Sequence, residues 1–216
     1  MIKGILFDMD GVVADTEYLH YKSYIEALKP YGVFIEEQDY YDFWTTKGGR
    51  FTEYIKIHNL EAKGIEYEKI IKVKRELFKK FVNTEMVIDQ KRITAIKLLA
   101  QNFPLALVTG SSTNQAKQIL KLTNLTNCFK FIIGGEMHSK HKPDPECFLM
   151  ASKKLNILPT NLVVIEDAQK GIIAAANGGM KSIAIPTKAT KNDDFSLATK
   201  IVSHLSEITP EFLNKL

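Results

Sequence analysis

The sequence predicts an α/β protein: a parallel sheet, doubly wound by helices, with a second, all-helical domain inserted after the first strand. Two observations carry this. Short, largely apolar runs at residues 2–7, 105–108, 129–133, 162–165 and 181–185 alternate, from residue 90 onward, with stretches of helical spacing. Strands that are apolar throughout, rather than at every second position, belong to parallel sheets covered on both faces. Between residues 15 and 82 no strand-like run occurs, and a helical pattern is broken only by Gly48-Gly49 and Gly64. The expected organisation is a core of residues 1–14 and 83–216 and a helical cap of residues 15–82.

The elements follow in order. Residues 2–7 read as a buried strand, after which Asp15 or Thr16 makes an N-cap. Tyr18, Tyr21, Ile25 and Leu28 lie at helical spacing up to Pro30. The basic stretch KIIKVKRELFKK carries Ile70, Val73, Leu77 and Phe81 on one predicted face, with lysines on a solvated one. Ile93, Ile96 and Leu99 give the first core helix, and Ala116, Ile119 and Leu120 the next. Pro145 opens a helix with Phe148, Leu149 and Leu155 on one face. Ile172 and Ile173 belong to a short helix that stops near Gly178-Gly179. Thr209-Pro210-Glu211 starts a last one.

Composition narrows the class. The 45% apolar content over 216 residues is enough for a proper core. No apolar run approaches a membrane span, and the N-terminal run is too short for a signal peptide. A cytoplasmic protein is therefore expected, with Cys128 and Cys147 as free thiols. A net charge of +4 gives no patch of the kind nucleic-acid binding needs. A monomer is the default expectation.

In a doubly wound sheet, ligands bind at the carboxyl ends of the strands. Those ends carry Asp8 and Asp10, then Thr109-Gly110-Ser111, then the His141-Lys142-Pro143 loop, then Glu166 and Asp167. Asp8 and Asp10 are two apart, so in extended chain they point to one side and repel unless a cation intervenes. With Glu166 and Asp167 they make a hard-oxygen set suited to Mg²⁺. A carboxylate of this kind can attack phosphorus, and its neighbour can move the proton. Thr109 and the amides after it, with Lys142, can hold phosphate oxygens. The set is what Mg²⁺-dependent phosphoryl transfer requires.

The ordered motifs DMDGV, VTGSS, KPDP and IED resemble those of the haloacid dehalogenase superfamily across essentially the whole chain. In detail they are similar to the β-phosphoglucomutase and phosphoglycolate phosphatase-like group, with its Rossmann-like core and helical cap. The resemblance implies that Asp8 becomes an aspartyl phosphate and that Asp10 is the general acid/base, contributing its backbone carbonyl to Mg²⁺. It implies that Asp167 and Glu166 hold the metal directly or through water. Asp15 and Thr16 would form a hinge, and the cap loop Lys47-Gly48-Gly49-Arg50 would help select substrate, through a second anionic group or else as an exposed basic loop. Asp10 argues for phosphate chemistry, since the superfamily's dehalogenases typically lack the second acid. His20 is open between a hinge role and a histidine bonded to backbone. Phe43 and Trp44 read as cap core rather than a sugar platform.

Two departures stand out. His141 occupies the position before the Lys-Pro pair where glycine is common, and Ile88-Asp89-Gln90 stands where a Pro-Gly turn often precedes the second core helix. The expected function is hydrolysis of a small phosphorylated metabolite, such as a sugar phosphate. The alternatives are a hexose phosphomutase sharing the same aspartyl phosphate, and a non-catalytic phosphometabolite-binding protein.

Overall fold

A computed structural model describes residues 1–216. In chain order the elements are β1 (Gly4–Phe7), α1 (Glu17–Leu28), α2 (Glu37–Tyr40), α3 (Phe51–Ile57), α4 (Tyr67–Glu85), α5 (Gln90–Asn102), β2 (Leu105–Val108), α6 (Thr113–Leu122), β3 (Phe129–Ile133), α7 (Glu146–Leu155), β4 (Leu162–Glu166), α8 (Gln169–Asn177), β5 (Lys181–Ala184), β6 (Lys200–Ile201) and α9 (Pro210–Asn214). The chain divides into two units, Met1–Asp15 with Val87–Leu216, and Thr16–Met86. No helix is long and apolar enough to cross a membrane.

The first unit is built on one parallel sheet in the order β3-β2-β1-β4-β5-β6. From β1 the chain winds outward to β2 and β3 on one side and to β4, β5 and β6 on the other. The order reverses between β1 and β4, and the crevice at their carboxyl ends is where such sheets bind ligands. β1, β2 and β4 are buried at every position, as their apolar runs require, and the burial extends to Glu166 at the end of β4. Leu6, Val108 and Val164 pack with Phe148 and Ala151 of α7 in one core layer. Each large side chain buried this way contributes about 1.5–3 kcal/mol.

Side chains cap two of the core helices, α5 and α6, whereas Thr16 precedes α1 with no side-chain cap. Ser112 accepts from the Gln115 N–H at 3.4 Å while Gln115 Oε1 accepts from the Ser112 N–H at 3.1 Å, a reciprocal cap on α6. Asp89 caps α5 by accepting from the N–H groups of Lys91 and Arg92. Some expected faces are rotated. Leu149 is exposed, and α7 buries Cys147, Phe148, Ala151 and Ser152 instead. The edge strand β6 was not expected; it is two residues long and exposed, so it carries no apolar run to read.

The second unit is helical and its core is aromatic. Trp44 stacks on Tyr40 with centroids 4.9 Å apart and lies 4.7 Å from Tyr54, while Phe43 meets both Trp44 and Tyr54 edge-on. Phe43 and Trp44 are thus cap core. α1 buries Leu19, His20, Ser23, Tyr24, Ala27 and Leu28, so the half-exposed Tyr18 is off its inner face. α4 runs to Glu85, past the expected boundary at 82, because Phe81 and Val82 continue its buried stripe. That stripe passes through Lys74, not Val73, which is 47% exposed. Lys74 Nζ lies 2.6 Å from His20 Nδ1, and the His20 ring stacks on Phe78 at 3.8 Å. One side-chain partner of His20 is therefore a lysine on α4.

Candidate active site

β1 delivers two carboxylates to the switch point. Asp8 is the first residue past the strand, and its N–H donates to the Ile165 carbonyl at 2.9 Å, extending the ladder by one residue. The chain then closes a compact turn. The N–H groups of Val12, Val13 and Ala14 converge on the Met9 carbonyl, and the Gly11 N–H donates to the Ala14 carbonyl at 2.8 Å. Gly11 sits at φ +79°, in the left-handed region that favours glycine. A Cβ there would also collide with the Asp167 carboxylate. This explains why glycine follows the second aspartate.

Lys142 reaches the same place from the loop before α7. Its ammonium donates to Asp8 Oδ1 and to Glu166 Oε1 at 2.5 Å each, and to the Val108 carbonyl at 3.3 Å, so each N–H has an acceptor. The ring of Phe148 lies 4.9 Å away. Glu166 Oε2 accepts from the N–H groups of Asp167 and Ala168, at 3.0 and 3.2 Å. Glu166 fits because α8 carries Gly171 beside it; a Cβ at 171 would overlap its carboxylate. Carboxylate oxygens of Asp8, Glu166 and Asp167 all lie within 4.8 Å of one another, and all three residues are buried. Buried hard-oxygen donors this close suit a hard divalent cation.

The end of β2 contributes the third side. Thr109 is almost fully buried, and its Oγ1 accepts from the Ser111 N–H at 3.0 Å. Ser111 Oγ in turn donates to Asp10 Oδ2 at 3.0 Å. Asp10 is partly exposed while Asp8 is buried, so the two acids differ in environment although they are two residues apart.

The electrostatics follow from burial. Burial pushes the Asp8 carboxyl up to about 7; Glu166 and Asp10 add to the rise and Lys142 opposes it. For Lys142, burial alone favours the neutral amine, but Asp8 and Glu166 outweigh it and hold the ammonium above its ordinary value.

The first unit thus brings together Asp8, Asp10, Thr109, Ser111, Lys142, Glu166 and Asp167, with Gly110 exposed on the same loop. Lys47, Gly48 and Arg50 belong to the second unit. Lys47 and Arg50 are exposed there, and Gly48 has φ +72°. His141 is exposed, its ring 5.0 Å from that of His138. Lys140 is an exposed lysine 3.6 Å from Asp144. Cys128 and Cys147 are free thiols. Sequence reasoning missed three supporting residues. They are Gly171, which makes room for Glu166; Thr187, whose Oγ1 donates to Asp167 Oδ2 at 3.5 Å; and Arg92, whose Nη1 donates to the Gly11 carbonyl at 3.0 Å.

A carboxylate nucleophile candidate, a neighbouring acid, a buried lysine and a cation-ready acid cluster at the switch point of a parallel sheet define a class. The chain belongs to the haloacid dehalogenase-like hydrolases, whose family model matches residues 5–185. It is 28% identical over 182 residues to the fructose-1-phosphate phosphatase YqaB of Escherichia coli, covering 84% of this chain and 95% of that one. It is 29% identical over 197 residues to a phosphorylated carbohydrates phosphatase of Thermotoga maritima, covering 84% of each. Its fold matches the crystal structure of CbbY from Rhodobacter sphaeroides, with a TM-score of 0.85 at 23% identity, covering 99% of this chain and 100% of that one.

Proposed function

We propose that the protein is an Mg²⁺-dependent phosphatase that removes phosphate from a small sugar phosphate through an aspartyl phosphate on Asp8. The observation that carries the reading is the shared partner of Asp8: Lys142 bridges its carboxylate and that of Glu166 within one buried cluster. Two relatives of known kind, at 28% and 29% identity, are phosphatases of fructose 1-phosphate and of phosphorylated carbohydrates.

The chemistry then distributes as follows. The Asp8 carboxylate attacks phosphorus in line, and the bond from phosphorus to the sugar oxygen breaks. Asp10, as the acid, gives its proton to the departing oxygen. Asp10, now a base, takes a proton from water, whose oxygen attacks phosphorus; the Asp8–phosphorus bond breaks and inorganic phosphate leaves. Lys142 and the Thr109-Gly110-Ser111 loop hold the phosphoryl oxygens. Asp8 and Asp167, with the Asp10 carbonyl, would hold Mg²⁺. Glu166, whose oxygens accept from Lys142 and two backbone amides, orients that set. The ion supplies positive charge that neutralises the crowded carboxylates and the phosphate. Lys47, Gly48 and Arg50 are assigned to substrate selection by a second anionic or hydroxyl-rich group.

A phosphate-release screen over sugar phosphates, phosphoglycolate, nucleotides and pyrophosphate tests this, with Asp8→Asn as the blank. The expected result is Mg²⁺-dependent release, strongest from one sugar phosphate. No release, with isomerised sugar phosphate seen by NMR when a bisphosphate primer is added, would replace the phosphatase with a phosphomutase.

A further inference from the structure

The turn that follows Asp8 is held from one side by a residue with no part in the proposed reaction. Gly11, immediately after Asp10, is buried, and its carbonyl accepts from Arg92 Nη1 at 3.0 Å. Arg92 is the third residue of α5, 81 positions along the chain, and its side chain is only 12% exposed. Asp89 caps the helix turn from which Arg92 projects. That side chain accepts from the Arg92 N–H at 3.1 Å, and its second oxygen lies 4.0 Å from Arg92 Nε. The same second oxygen accepts from His204 Nε2 at 2.8 Å. His204 Nδ1 accepts from the Ser206 N–H at 3.1 Å, which orients the ring.

The anchoring of the turn is lopsided without Arg92. On the strand side, Asp8 is tied to β4 through the Ile165 carbonyl. Within the turn, the Met9 carbonyl gathers three N–H groups, and Ala14 accepts from Gly11. All of these bonds are local to residues 8–14 except the one to Ile165. Beyond that bond, Arg92 holds the turn at the Gly11 carbonyl and Ser111 holds it at the Asp10 carboxylate. The Gly11 carbonyl belongs to the peptide one residue past Asp10, so the bond from Arg92 limits how far the backbone that carries Asp10 can shift.

We propose that Arg92 is a positioning residue for Asp10: its bond to the Gly11 carbonyl steadies the backbone that carries the acid, so that the carboxyl stays within reach of the leaving oxygen. This rests on the reading of Asp10 as the acid. Proton delivery matters most when the leaving alcohol is a poor leaving group, as in a sugar phosphate. It matters little for p-nitrophenyl phosphate, whose phenolate departs without a proton.

Because Asp10 also serves as the base for water whichever ester is used, the experiment reads the first half-reaction alone: the single-turnover rate of alcohol release from fructose 1-phosphate and from p-nitrophenyl phosphate, with KM alongside, for the wild type, Arg92→Met, Arg92→Lys and Asp10→Asn, each first checked for folding by thermal melting. Expected for Arg92→Met is a fall in that release rate of at least about tenfold on the sugar phosphate, a small part of what general acid catalysis supplies. Its KM and its rate on the aryl ester should stay within about threefold, and Arg92→Lys should recover most of the loss by restoring a charged donor. Asp10→Asn should show the same selectivity, more strongly. Equal losses on both esters in folded Arg92→Met, or none, would overturn the positioning role while leaving Asp10 as the acid. Equal losses on both esters in Asp10→Asn, or a wild type that turns over neither ester, would overturn the underlying reading and this proposal with it. If Arg92→Met does not fold, Arg92→Lys and Arg92→Gln carry the same comparison.

Discussion

Lys142 Nζ stands 2.5 Å from Asp8 Oδ1 and 2.5 Å from Glu166 Oε1, so one buried ammonium holds two carboxylates that would otherwise repel. Removing one partner of a buried ion pair typically costs about 3–5 kcal/mol, because the remaining charge stays buried and uncompensated. Lys142→Met should therefore lower the melting temperature at pH 8 and abolish measurable turnover. The melting deficit should shrink at pH 5, where the abandoned carboxyls take up protons. A pH-independent deficit would mean that the loss is packing over Phe148 and not charge.

Gly171→Ala separates two effects of opposite sign. In a helix the alanine is favoured by about 0.8–1 kcal/mol. Overlap with the buried Glu166 carboxylate costs more, since overpacking a filled site costs about 1–3 kcal/mol. The variant should be less stable than the wild type and should need more Mg²⁺ for half-maximal activity. Thermal melts and a Mg²⁺ titration check both.

The pH dependence of cation binding follows from Asp8. Its carboxyl is raised from an ordinary 3.8 to about 7, chiefly by burial. Between those values the folded state binds more protons than the unfolded one, so stability without metal falls as pH rises through this window and levels above about 7. A cation binds the ionised form and must displace that proton below pH 7. The increase in melting temperature on adding Mg²⁺ should grow from pH 5 to about 7 and then plateau. A flat profile would show that Asp8 is already ionised in the metal-free protein.

Asp89 should behave in the opposite sense. Burial works against its charge, but the bonds from His204 and the Arg92 N–H prevail, and its carboxyl lies below the ordinary value. Its contribution is present above about 3.8 and is lost as pH falls through the folded-state value. Loss of such an N-cap costs about 0.5–2 kcal/mol. Asp89→Ala should be destabilised by that amount at pH 7, and the gap to wild type should be smaller at a pH below 3.8. Parallel melts at the two pH values decide it.

The fold was legible because β1, β2 and the first four residues of β4 are apolar and chemistry-bearing residues come directly after those runs. Asp8, Thr109 and Glu166 mark strand ends as clearly as they mark a site. What stayed hidden depends on contacts between distant positions. Lys74 lies in the buried stripe of α4, but periodicity assigns that face to Val73, because a lysine is not expected inside unless paired. Nothing near Gly171 announces that a carboxylate five residues earlier will need its missing Cβ. Arg92 reads as one more polar residue opening a helix, since its partner is a backbone carbonyl 81 residues away. The edge strand β6 has two exposed residues and no apolar pattern at all.

The most direct test of the account is to look for phosphate on Asp8. The protein is mixed with Mg²⁺ and its best sugar phosphate, quenched in acid at millisecond ages, digested and analysed by mass spectrometry. The account predicts a phosphoryl adduct on Asp8 in the wild type, and neither adduct nor turnover in Asp8→Asn. An adduct on another residue, or undiminished turnover by Asp8→Asn, would contradict it.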